Sequence, residues 1–203
     1  LVVLDEKKHV VDLYHRKDLT PILLSVPHMG TDEKKYVEDA FNTNWIAPLG
    51  PNVDGFEKEM AEFTGAKYAA ALNSGTSAIH LSLVLLEVKP NDIVLCSSLT
   101  FAASANPIMY QHATPVFIDS EPDTWNMSPV ALEKALIHYG KLGKTPKAII
   151  VVNLYGQSAD MDAILILAKK YEVPIIEDAA ESLGATYNGK QSGTFGLFGI
   201  YSF

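Results

Sequence analysis

From about residue 66 the chain alternates short apolar runs with helix-length amphipathic segments, the pattern of successive β-α-β units. Strands are predicted at Tyr68–Leu72, Ile93–Cys96, Pro115–Ile118, Ala148–Val152 and Pro174–Ile176. Each run is continuously apolar rather than alternating, as expected when helices cover both faces of a parallel sheet. Helices are predicted at Thr76–Leu86, Ala102–Tyr110, Pro129–Tyr139 and Asp162–Tyr171, with Thr100, Ser128 and Asp160 as capping or first-turn residues. The expected fold class is α/β, a mostly parallel sheet flanked by helices and joined by right-handed crossovers.

Ahead of this pattern, Asp32–Asn44 and Asp54–Phe63 read as helices separated by the breaker-rich Trp45-Ile46-Ala47-Pro48-Leu49-Gly50-Pro51. Residues 1–65 are therefore expected to form an N-terminal arm with helices, and residues 66–203 an α/β domain. Near its end, Leu183–Lys190 reads as a β-hairpin, because Asn188-Gly189 suits the positive φ angles of a type I′ turn.

Composition narrows the partners. The 203 residues carry 24 acidic against 16 basic side chains, a net charge of −8. Basic residues run no longer than pairs such as Lys34-Lys35 and Lys169-Lys170, so neither nucleic acid nor an anionic membrane surface is an expected partner. The longest charge-free stretch, Ile93 to Ile118, is interrupted by Ser97, Ser98, Asn106, Pro107 and Gln111, unlike a membrane-spanning helix. There is no secretory-type start, and the single Cys96 has no partner for an internal disulfide, which fits a cytoplasmic protein. The chain begins without Met and stops at Phe203 inside the apolar run Phe198–Phe203, as expected of a piece of a longer protein.

In open parallel sheets, ligands bind beyond the carboxyl ends of the strands. The residues there are polar in this sequence: Asn73-Ser74-Gly75-Thr76-Ser77, Ser97-Ser98-Leu99-Thr100-Phe101, Asn153-Leu154-Tyr155-Gly156 and Glu177-Asp178-Ala179-Ala180-Glu181. Gly75 and Thr76 at a helix start suit a phosphate, although the same residues read equally as an ordinary N-cap. Asp178 follows an apolar strand among small residues. Its carboxylate needs a partner, and both a protonated ring nitrogen and a local cap or ion pair answer that need. Phe101 reads either as a stacking face or as core. Taken together, the phosphate cradle, aromatic face and carboxylate describe a site for a flat, phosphorylated, nitrogen-containing ring, and pyridoxal 5'-phosphate (PLP) fits that description.

Rival motifs fail. Gly184–Lys190 opens like a phosphate-binding loop, but Gln191 stands where Ser or Thr is required and the segment reads as a hairpin. Gly193, Gly196 and Gly199 are spaced evenly by three and do not lead a first strand into a helix, so they make no dinucleotide fingerprint. Asp160-Met161-Asp162 reads as a helix cap rather than a metal site, and the six His residues lack ligand spacing.

These segments resemble the DegT/DnrJ/EryC1/StrS sugar aminotransferases, fold-type I PLP enzymes. The resemblance is carried by Trp45–Pro51 with Phe56-Glu57, by Asn73–Thr76, Thr100-Phe101, Pro115–Asp119 and Leu154–Gln157, by Glu177–Ser182, and by Gly193–Gly196 through Tyr201-Ser202-Phe203, over about residues 20–203. It implies amino transfer, usually from glutamate, to a keto carbon of a nucleotide-linked sugar, in a homodimer with shared active sites. By the same resemblance Gly75 and Thr76 form the phosphate loop, Phe101 stacks on the ring, Asp178 partners its nitrogen and Ser202 adds a phosphate contact. Asn153 stands where relatives often have His, and Glu181 where many have Gln touching the ring hydroxyl.

The family's Schiff-base lysine falls shortly after the Ser-Phe that ends this sequence. No catalytic residue is therefore expected within residues 1–203, the C-terminal small domain is absent from them, and the fragment is expected to be inactive alone. A non-catalytic remnant and a PLP sugar dehydratase of the same family are the alternative expectations.

Overall fold

The computed structural model describes residues 2–13, 27–47 and 49–203. They fall into two compact units, Leu1–Pro48 and Leu49–Phe203. In the first unit β1 (Val2–Leu4) pairs antiparallel with β2 (Val10–Leu13). The connecting turn is closed by Asp5, whose Oδ1 accepts from the backbone N–H groups of Lys7 and His9. The same unit contains α1 (Asp32–Asn42), whose first-turn Asp32 and Glu33 complement the helix dipole. The sequence pattern predicts α1 but not the hairpin. Of the predicted linker Trp45–Pro51, Pro48 lies outside the described residues.

The second unit opens with α2 (Pro51–Thr64), started by Pro51 and stopped by Gly65 at φ +73°. There follow α3 (Gly75–Leu85), β3 (Ile93–Ser97), α4 (Ala102–Tyr110), β4 (Thr114–Ile118), α5 (Pro129–Lys141), β5 (Ala148–Val152), α6 (Met161–Tyr171) and β6 (Ile175–Asp178). A small hairpin of β7 (Thr186–Tyr187) and β8 (Lys190–Gln191) precedes β9 (Phe198–Ile200). Its turn residues Asn188 (φ +50°) and Gly189 (φ +78°) have the positive φ angles predicted for Asn-Gly. Helix α2 packs on the end of the α/β domain, with the Phe56 ring 5.6 Å from that of Phe203, so it groups with the second unit and not with an arm ending at residue 65.

The sheet runs β4-β3-β5-β6-β9, and every pairing is parallel. Alternate residues along its strands feed two cores. Val94, Cys96, Ile150, Ile176 and Ile200 pack with Ile79 and Leu83 of α3 and Ile108 of α4. Leu95, Ile149, Val151 and Ile175 pack with Leu132 and Leu136 of α5 and Ile164 and Leu167 of α6. The central strands are buried on both faces, hence the unbroken apolar runs, and each fully buried Leu or Ile contributes roughly 1.5–3 kcal/mol.

One predicted strand does not form. Tyr68–Leu72 is irregular, and it lines, with β9, a groove of about 1260 Å³. Among the described residues no strand lies beside it to share a hydrogen-bond ladder. Its Ala71 N–H donates instead to Glu57 Oε1 (2.8 Å).

Candidate functional site

Register places the carboxyl ends of the strands together, since Val152 is opposite Asp178 and Asp178 is opposite Ile200. The loops leaving β3, β6 and β9 therefore open on one edge of the sheet. Into it points Asp178, the last residue of β6, largely buried.

Asp178 Oδ2 accepts from Ser104 Oγ (2.6 Å), and Oδ1 accepts from Ala180 N–H (3.3 Å). Thr100 Oγ1 lies 2.7 Å from Ser104 Oγ. A serine hydroxyl has one proton and Ser104 gives it to Asp178, so Thr100 is the donor in this second bond. The hydroxyl predicted to cap α4 thus serves the carboxylate, and the N-cap position falls to Phe101. Burial pushes the pKa of Asp178 up from its ordinary 3.8, the hydrogen bonds from Ser104 and Ala180 hold it down, and the charge of Glu181 adds to the rise. Among the described residues no cationic side chain pairs with it. Nearby Cys96 is fully buried, and its thiol is pushed up to about 12 by burial and then by the charge of Asp178, so it is no nucleophile.

The start of α3 and the residues after β9 face each other. Ser74 caps α3, its Oγ accepting from Ser77 N–H (3.1 Å), so Gly75 and Thr76 occupy the first turn with their N–H groups directed outward. Ser202, two residues beyond β9, closes the other side. A Cβ placed on Gly75 would come within 3.2 Å of Ser202 Cβ and 3.4 Å of its Oγ, so Ser202 packs this closely on α3 because residue 75 is glycine. Phe101, immediately before α4, is 83% exposed. It is not core, and its ring face is free.

Two predicted site residues behave differently. Asn153 is buried: Nδ2 donates to Glu177 Oε1 (2.9 Å) and Ser182 Oγ (3.3 Å), while Oδ1 accepts from Ala159 N–H (3.2 Å). These partners direct the Asn153 side chain toward Glu177 and Ser182. Glu181 stays near Asp178, but its Oε2 accepts from Tyr155 N–H (2.9 Å). That bond holds Tyr155 at φ +49°, with its side chain 81% exposed. The adjacent Gly156 (φ +86°) passes so close that a Cβ would meet Glu181 O at 3.0 Å.

Elsewhere, Asp160 is the helix cap read from the sequence, and Asp162 has a hairpin partner that the sequence does not suggest. Asp160 caps α6 by accepting from Ala163 N–H (3.2 Å), and Asp162 accepts from Asn188 Nδ2 (3.0 Å). Sequence reasoning missed Ser104 and Glu177, the groups that hold the site residues. Their hydroxyl and carboxyl types were visible, but only the fold brings residues 104 and 178 together.

The start of α3, the exposed Phe101 ring and the buried Asp178 carboxylate thus lie at the carboxyl ends of a parallel α/β sheet, where ligands bind in open sheets of this kind. The DegT/DnrJ/EryC1/StrS aminotransferase family model matches residues 27–203, and the chain belongs to that family.

It is 64% identical over 182 residues to EpsN of Bacillus subtilis (strain 168), named for pyridoxal phosphate-dependent aminotransferase activity, covering 90% of this chain and 47% of that protein. It is 45% identical over 188 residues to GDP-perosamine synthase of Caulobacter vibrioides, covering 92% and 48%. The solved PLP form of the sugar aminotransferase Spr1654 from Streptococcus pneumoniae superimposes with a TM-score of 0.77 at 30% identity, over 89% of this chain and 50% of that one. The fold is that of the fold-type I PLP transferases, and the chain spans about half the length of the curated relatives it matches. No helix among the described residues is long and apolar enough to cross a membrane.

Proposed function

We propose that these residues form the cofactor-binding portion of a PLP-dependent aminotransferase that delivers an amino group, with glutamate as donor, to a keto carbon of a nucleotide-linked sugar. The observation that carries the reading is Asp178: a carboxylate mostly removed from water, supported by two neutral donors and facing no cation among the described residues. A protonated pyridine nitrogen supplies the missing charge. Pyridoxal phosphate, when bound, supplies an electron sink for the carbon that gains or loses the amino group.

The chain's own residues divide the remaining work. Gly75, Thr76 and Ser202 receive the phosphate, Phe101 offers a face to the ring, Asp178 holds the nitrogen charged, and Glu181 keeps Tyr155 at the mouth. The reactive amine is expected outside these residues. Lys190 lies over the Phe195 ring (4.5 Å) and Lys170 is bonded to Glu133 (2.7 Å), so neither faces Asp178. Residues 1–203 alone are accordingly read as binding without transaminating. We read the assembly as a homodimer and the setting as the cytoplasm. The exposed Phe101 and Tyr155 suit the first, and the free, buried Cys96 suits the second.

The test is to mix the full-length protein with PLP and record its spectrum. A band near the visible that borohydride abolishes is the expected result, and its absence removes the reading.

A further inference from the structure

Glu177 is wholly buried, yet its hydrogen bonds reach none of Gly75, Thr76, Phe101, Asp178 or Ser202. It precedes Asp178 on β6, so its side chain projects to the opposite face of the sheet. Its Oε1 accepts from Asn153 Nδ2 (2.9 Å) and Gly193 N–H (2.7 Å), and its Oε2 accepts from Phe195 N–H (2.9 Å). A carboxyl group withdrawn from water without a cation survives only when N–H donors surround it, and two of these three belong to the turn between β8 and β9.

That turn is packed backbone-to-backbone on the strand β9. A Cβ on Gly199 would fall 1.7 Å from Gly193 O, and one on Gly193 (φ +87°) would fall 2.3 Å from the Tyr201 hydroxyl oxygen. A Cβ on Gly196 would fall 2.7 Å from Ile175 O. The evenly spaced glycines therefore exist for close approach, not for a nucleotide. The Tyr201 hydroxyl donates to the Ser192 carbonyl. Burial, and after it the charge of Glu177, pushes that hydroxyl up to about 12. The next residue, Ser202, lies against Gly75.

We propose that Glu177 is a positioning residue for phosphate binding: through the Gly193–Phe195 turn and Tyr201 it fixes Ser202 against the first turn of α3. The proposal rests on the reading of this site as a PLP cradle. The path leaves Asp178 and Phe101 untouched, so it separates phosphate recognition from ring recognition.

The full-length protein, as wild type, Glu177→Gln and Tyr201→Phe, is titrated with PLP and with pyridoxal, which lacks the phosphate. Glu177→Gln keeps the shape of the side chain but turns one acceptor into a donor facing N–H groups. It is expected to weaken PLP about tenfold while leaving pyridoxal unchanged. Tyr201→Phe, a milder change that removes only the bond to Ser192, is expected to narrow the same preference about threefold. Equal losses for both ligands, or an unchanged PLP-to-pyridoxal ratio in Glu177→Gln, overturn the proposal. If Glu177→Gln does not fold, an unchanged ratio in Tyr201→Phe overturns it. A wild type that prefers PLP no more than pyridoxal overturns the cradle reading itself, and the proposal with it.

Discussion

Ser104 Oγ donates a 2.6 Å hydrogen bond to Asp178 Oδ2, joining α4 to the end of β6 across 74 positions of sequence. Both groups are buried, so the bond works in a low dielectric and opposes the rise in pKa that burial imposes on Asp178. Ser104→Ala removes that opposition. The Asp178 carboxyl then titrates higher, and the alkaline shift should appear in the pH profile of PLP affinity in the full-length protein. The affinity itself should fall about three- to tenfold, with about 1 kcal/mol lost from stability. An unmoved pH profile contradicts the assignment.

Asp178→Asn separates binding from folding. Below 3.8 the aspartate is protonated whether the chain is folded or unfolded; as pH climbs past its raised folded value it ionises in both states, and burial then costs the folded one. The cofactor-free variant should therefore melt at higher temperature than the wild type near neutrality, the advantage fading as pH falls toward 3.8. With cofactor the order reverses, and most activity is lost. Melting curves at several pH values, with and without PLP, check both halves.

Glu181→Gln tests the electrostatic link at the mouth of the site. The charge of Glu181 contributes to the raised pKa of Asp178, so removing it lets Asp178 ionise at lower pH. PLP binding should then persist to lower pH than in the wild type. The Gln oxygen still accepts from Tyr155 N–H, so the loop should stay in place. A shift in the opposite direction, followed by absorbance titration, contradicts this relation.

Glycines in this fold are not equivalent. Gly193 and Gly143 both have positive φ (+87° and +67°), but a Cβ would strike the Tyr201 ring at the first and nothing within 4 Å at the second. Urea denaturation should report a loss of about 3 kcal/mol or more for Gly193→Ala and about 1 kcal/mol for Gly143→Ala.

Where local pattern decides structure, the sequence was legible. β3 through β6 formed where apolar runs were bounded by turn residues, and α5 and α6 formed where Ser128 and Asp160 offered caps. The Asn188-Gly189 hairpin followed from backbone conformation alone. Tyr68–Leu72 misled because a strand needs a hydrogen-bonded neighbour as well as an apolar run, and no described strand pairs with it.

At the site, Phe101 and Asp178 are located from strand ends in the sequence, Gly75 is read after a strand that does not form, and Ser202 is suggested by the family resemblance alone. The direction in which Asn153 points could not be read there, because it depends on Glu177 and Ser182, far away in sequence. The hydroxyl pair behind Asp178 was hidden for the same reason: Thr100 has the sequence signature of a cap, and only the contact between α4 and β6 gives its hydroxyl another acceptor.

The most direct test is a crystal structure of the full-length protein with PLP bound. The expected result is the phosphate seated between the Gly75–Thr76 turn and Ser202, the ring on Phe101, and its nitrogen within hydrogen-bond distance of the Asp178 carboxylate. A cofactor bound elsewhere, or one whose nitrogen turns away from Asp178, would contradict the assignment of this site.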